Sequence, residues 1–240
     1  MVADAVVYHP SVAHLLRFLA TTLGRDKLYR TIQYFSRFYA WYLLRTNATK
    51  EAVEPWSAAK KQFGLLRKFL RLGKSIEHLR AAAVAADGKA SSSGLLADPV
   101  LRYTSVGRQL GYAGYLTLDA TTVLDAAGIR RWPRAPLMQQ EAYRFWAMGI
   151  SCSILAQLYT LYRLRQREAA VDLKDGEGVV ESKRIAKERS ASQTQLLCDF
   201  CDILVPSSAL GWLSLDDGIV GLTGTLSSLI GVRSQWGKTA

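Results

Sequence analysis

Cysteine is scarce in this chain, at three residues in 240. Three cannot build a disulfide framework. Cys198 and Cys201 form a CxxC, but no second pair and no histidine cluster accompany it, so the spacing of a zinc site is missing. The three histidines, His9, His14 and His78, are scattered and form no HExxH. Acidic residues are few, 20 against 31 Lys and Arg. Long apolar runs are few as well. The longest uncharged one, Phe145–Tyr162, holds 18 residues and sits at the lower limit for a bilayer span. With a mean hydropathy of +0.03, the chain is too polar for a polytopic transporter and greasy for a soluble protein.

Other absences narrow the chemistry. The opening MVADAVVYHPSV lacks the charged region and long apolar core of a secretory signal. The closing GKTA is neither an SKL-type address nor a prenylation box. GVRSQWGKT imitates a phosphate loop, but the first glycine it requires falls at Val232. Asp119, Asp125, Asp216 and Asp217 lie among apolar residues, and helix caps and boundaries account for them. No catalytic constellation, metal site or cofactor motif emerges.

What is present is basic charge in one place. Residues 1–90 hold 15 Lys and Arg against 6 Asp and Glu, whereas the remaining 150 hold 16 against 14. An N-terminal third charged in this way fits an anionic partner. Within it lies Ala58–Arg80, AAKKQFGLLRKFLRLGKSIEHLR. On a helical wheel Leu65, Leu66, Phe69, Leu70, Leu72, Ile76 and Leu79 fall on one half. Lys60, Lys61, Arg67, Lys68, Arg71 and Lys74 fall within an arc of roughly 140° on the other. The periodicity predicts one helix, about 35 Å long, opened by Pro55. A basic face opposite an apolar face is the pattern of a helix lying in a membrane interface. It is also the pattern of a surface helix packed on its own core.

Elsewhere the reading is helical throughout. Ser11 caps a short amphipathic helix ending near Gly24. Arg25–Arg45 forms a second, in which Tyr29, Tyr34, Phe35, Phe38, Tyr39, Trp41 and Tyr42 alternate with basic residues. Such a helix suits a bilayer interface or a bundle core. A basic-aromatic patch also suits single-stranded nucleic acid, but no nucleic-acid fold motif accompanies it. Asp87–Gly94 reads as a linker. Three apolar stretches follow, Val106–Ala127, Phe145–Tyr162 and Ile203–Val232; the charged segment after the second reads as a solvated loop or a frayed helix extension. Gly107 and Gly111 have GxxxG spacing, which lets two helices approach closely. The glycine-rich Gly218–Val232 has the same character, and Asp216 and Asp217 belong at its helix start.

Three segments resemble, in order, the peroxin eleven family of peroxisomal membrane elongation proteins. GRDKLYRTIQYFSRF (24–38) looks like the family's opening block. RKFLRLGKSIEHL (67–79) looks like its membrane-inserting helix, and DDGIVGLTGTLSSLIGVRSQW (216–236) like its C-terminal membrane segment. The resemblance implies a peroxisomal membrane protein that elongates and proliferates the organelle by inserting its amphipathic helix. It implies self-association, and scission by a dynamin-type fission GTPase with its adaptors. Some family members are proposed to conduct small solutes.

The expectation is therefore an all-α, membrane-associated protein that is not an enzyme. Amphipathic helices occupy 1–86, a linker 87–99, hydrophobic helices 100–165, a charged loop 166–195, and a membrane segment with its tail 196–240. The seven apolar residues of the central stretch insert, and its six cations bind anionic phospholipid. Gly107, Gly111, Gly218, Gly221 and Gly224 support a homo-oligomer. The rivals are a solute channel built by the C-terminal helices and a basic bundle that binds nucleic acid.

Overall fold

The computed structural model describes residues 7–87, 98–171 and 176–240. Among the described residues there is no strand. Eight helices of eleven residues or more carry the fold: α1 Pro10–Ala20, α2 Thr22–Arg45, α3 Lys50–Leu70, α4 Lys74–Asp87, α5 Pro99–Thr121, α6 Ala135–Ala169, α7 Gly176–Ala209 and α8 Asp217–Lys238. The expected all-α class holds. No helix of the described residues is long and apolar enough to cross a membrane.

Local chemistry sets the boundaries. Thr21 ends α1 and starts α2: its hydroxyl donates to the Phe18 carbonyl at 2.8 Å and accepts from the Gly24 amide at 3.0 Å. So α2 begins at Thr22, three residues before the expected start. His9, not Ser11, caps α1, its ring nitrogen accepting from the Ser11 amide. Pro55 does not open α3, which starts at Lys50 with Pro55 in its second turn. There the missing N–H leaves only one carbonyl of the first turn without its partner. Asp98, followed by Pro99, caps α5. Asp216 caps α8 by accepting from the Ile219 amide at 3.0 Å, which puts it at a helix start as expected.

Two corrections concern extent. The central stretch is not one helix. α3 closes at Leu70, and Gly73 then takes a φ of +80°, a left-handed conformation that favours glycine. The helix resumes as α4 at Lys74. The charged segment after Tyr162 is not a loop: α6 runs on to Ala169 and α7 takes up again at Gly176. Leu164 and Ile185 are buried here, so both helices carry core residues in this segment. Arg167 pairs with Glu181 and Glu188, and Arg189 pairs with Glu168, so the mixed charges clamp α6 to α7. Most of the expected linker, 88–97, lies outside the described residues.

The chain folds as two compact units: Met1–Arg71 with Ala126–Ile129 and Ser214–Ala240, and Leu72–Asp125 with Arg130–Leu213. This partition cuts across the expected N-terminal and C-terminal halves. In the first unit α2 is central, with α1, α3 and α8 packed on it. In the second, α4, α5, α6 and α7 each pack on the next in sequence.

Candidate membrane-binding surface

Helix α3 buries one cation of its basic arc beside its aromatic residues. Its inward line towards α2 holds Val53, Trp56, Phe63 and Arg67. Val53 is buried, Trp56 packs on Phe35 and Tyr39, and Phe63 packs on Tyr29. Arg67 is only 7 % exposed; it donates to Asp26 at 3.0 Å and to the side-chain oxygen of Gln33 at 2.7 Å. Arg67 of the basic arc thus lies on the side of the unit's interior, whereas Lys61 is exposed. The apolar residues opposite the arc face out, with Leu66 and Phe69 each 40 % exposed.

Burial of Asp26 opposes its charge, but Arg67, Arg71 and Lys27 outweigh that cost and hold its carboxyl below the usual carboxylate range. Two other cations anchor the helices. Arg37 and Lys60 both reach the Asp217 carboxylate at 2.6 Å, joining α2, α3 and α8.

The six predicted lipid-binding cations are therefore not equivalent. Arg67 is buried in an ion pair and presents no charge to a surface. Lys60 is tied to Asp217. Lys68, Arg71 and Lys74 are half-buried, and Lys61 is exposed. Of the seven predicted inserting residues, Leu65 and Leu70 are half-buried. Leu66 and Phe69 are exposed on α3. Leu72, Ile76 and Leu79 are exposed in the second unit, where Ile76 reaches 70 % on the side of α4 away from α5.

The glycines serve the chain's own packing. A β-carbon at Gly218, Gly221 or Gly224 would lie 2.3–2.5 Å from Trp41, Phe38 or Tyr34, so α8 seats its glycine face on the aromatic face of α2. A β-carbon at Gly111 would lie 2.6 Å from Gly149, and one at Gly107 would lie 2.8 Å from the Cys152 sulfur, so this pair lets α5 close on α6. The predicted self-association faces are occupied within one molecule, because the small residues admit a neighbouring helix of the same chain.

Sequence reasoning missed Asp26, Gln33 and Asp217 as the partners that hold Arg67 and Lys60 of α3. It also missed the outward row of α8, Ile219, Leu222, Leu226 and Leu229, all exposed. Their 3–4 spacing was the available signal.

Comparison with known proteins bears on this surface. The family profile described as Peroxisomal biogenesis factor 11 (PEX11) matches residues 12–236. The chain is 29% identical to peroxisomal membrane protein PMP27 of Saccharomyces cerevisiae over 100% of both chains. It is 26% identical to peroxisomal membrane protein PMP30A of Candida boidinii, over 100% of this chain and 99% of that one. It is 22% identical to human peroxisomal membrane protein 11B, over 90% of this chain and 94% of that protein. No solved structure matches.

Proposed function

Because this chain belongs to the family of peroxisomal biogenesis factor 11, we propose that it is a peroxisomal membrane protein that elongates the membrane by one-leaflet insertion. The observation that carries the mechanism is the orientation of α3, with Arg67 inward and Leu66 and Phe69 outward. Exposed apolar area of this kind gains about 25 cal/mol per Å² when it leaves water. Helices laid about 5–10 Å into the headgroup boundary expand one leaflet and bend the membrane. In the second unit Leu72, Ile76 and Leu79 supply the same action.

On α8, Ile219 to Leu229 extends over ~15 Å, half the hydrocarbon thickness of a bilayer, so this row also engages a single leaflet. Lys61, Lys68 and Lys74 supply attraction to anionic lipid, at about 1 kcal/mol each near the surface before screening. Self-association concentrates the effect, and a dynamin-type GTPase with its adaptors completes fission.

The test is vesicle tubulation by the full chain with Leu66→Glu or Phe69→Glu. Both side chains point away from the interior, so thermal stability should hold while tubulation falls to background. A variant that tubulates as well as the parent protein sinks the insertion mechanism.

A further inference from the structure

Beside the buried Asp26–Arg67 pair, a cleft of about 440 Å³ opens between α2, α3 and Ala126, with Leu65 in its apolar wall. That volume lies in the range of small-molecule sites, about 300–1,000 Å³. Its polar lining is Gln33, Ser57, Lys60, Lys61 and Lys68, and Gly64 forms part of its wall. Among the described residues no carboxylate lines it. Two carboxylates stand behind it: Asp26 holds Arg67, and Asp217 holds Lys60.

The orientation of Gln33 is decided by its neighbour. Arginine has no acceptor, so the atom bonded to Arg67 Nη1 at 2.7 Å is the Gln33 oxygen. The Gln33 amide NH2 then turns to Gly64, where a β-carbon would lie 2.9 Å from it. The cleft therefore offers the Gln33 amide N–H, the Ser57 hydroxyl and the Lys61 ammonium group. Ammonium and amide N–H groups only donate. This set matches a dianion with several acceptor oxygens, the chemistry of a phosphomonoester.

We infer that the cleft lined by α2 and α3 binds a phosphomonoester, carried either by a lipid headgroup or by a small soluble phosphate, with Gln33, Ser57 and Lys61 as its donors. This assignment rests on the anionic-lipid contact proposed above and gives it a defined seat. On the wheel of α3, Leu66 lies roughly 180° from Ser57. The seat is therefore on a different side of the helix from the inserting residues, and the two activities separate by mutation.

The full-length protein in detergent is titrated with glycerol 3-phosphate by calorimetry. It is also sedimented with phosphatidylcholine vesicles containing phosphatidylinositol 4-phosphate or, at matched charge, phosphatidylserine. Gln33→Glu keeps an oxygen for Arg67 and places a carboxylate oxygen in the cleft. Lys61→Gln removes an exposed charge and serves if Gln33→Glu does not fold. Each should weaken glycerol 3-phosphate binding about tenfold or more, as for loss of a hydrogen bond to a charged group. Lys61→Arg should retain most of it, and Lys187→Gln on α7 should leave it unchanged.

A preference for the inositol lipid over phosphatidylserine that Gln33→Glu abolishes assigns the seat to a headgroup. Saturable glycerol 3-phosphate binding without that preference assigns it to a soluble phosphate. No saturable glycerol 3-phosphate binding, or equal affinity in Gln33→Glu and Lys61→Gln, overturns the inference. Failure of the insertion mechanism reads differently. Phe69→Glu would then still tubulate vesicles, whatever the phosphate titration shows.

Discussion

Two buried carboxylates have opposite pH signatures. Asp26 titrates below its ordinary value because Arg67, Arg71 and Lys27 outweigh the cost of its burial. The native state therefore holds its proton more weakly than the unfolded chain. The stabilisation is present above the ordinary carboxylate range and is lost as pH falls through the lowered native value. Arg67→Ala leaves Asp26 buried without its partner and should cost about 3–5 kcal/mol, read from chemical denaturation at pH 7. Asp199 is the reverse. It accepts from Ser153 at 2.6 Å and Gln195 at 2.8 Å, but burial pushes its carboxyl up. Its contribution is present below the ordinary carboxylate value and lost as pH rises through the raised native one. Asp199→Asn should therefore raise the melting temperature at pH 8, by about 2–4 °C. It should change melting little at pH 3.5. A pH-independent difference would mean that packing, not charge, dominates at this position.

At the scale of the helix, glycine spacing and apolar spacing divide the work. On α8 the glycines face α2 while Ile219, Leu222, Leu226 and Leu229 face out. One 22-residue helix thus has an intramolecular face and an unpartnered apolar face. The backbone of Phe38 lies 2.5 Å from the site of a β-carbon at Gly221, and backbone cannot step aside as a side-chain end does. Gly221→Ala should destabilise the first unit by about 1–3 kcal/mol through overpacking. Cross-linking yield should stay as in the parent protein. A stable Gly221→Ala protein with reduced cross-linking would return this glycine to a self-association role. On α3 the corresponding division runs between Arg67, turned in, and Leu66 and Phe69, turned out.

At the scale of the molecule, the C-terminal helix completes a unit begun at the N-terminus. α8 covers Tyr34, Phe38 and Trp41 of α2, supplies Asp217 to Arg37 and Lys60, and packs Trp236 on His14 and Phe18 of α1. A chain truncated after Ser214 should lose protease resistance across residues 7–70. The second unit, whose helices pack on their sequence neighbours, should keep its own. A peptide of residues 214–240 added in trans should restore part of the protection. Undiminished protection of the truncated chain would show that α2 and α3 fold without α8. The same topology makes α8 cut from its N-terminal partner a poor stand-in for the whole protein.

The all-helical class, most of the helices, the cap at Asp216 and the amphipathic character of 58–80 were legible in the sequence by itself. Each depends on neighbours within a few turns: the 3–4 spacing of Leu66, Phe69 and Ile76, and the side chain of Asp216 before a helix. Which way those faces point was decided only by tertiary structure. The wheel separates charge from apolar surface but does not say which side meets the rest of the protein. Asp26 lies 41 residues from Arg67, and Asp217 lies 157 from Lys60. Those distant carboxylates hold Arg67 and Lys60, and Leu66 and Phe69 are left exposed. The glycine spacings likewise announced close helix contacts. Whether the contact is with another copy or with the same chain depended on Tyr34, Phe38 and Trp41, brought to α8 from the other end of the sequence.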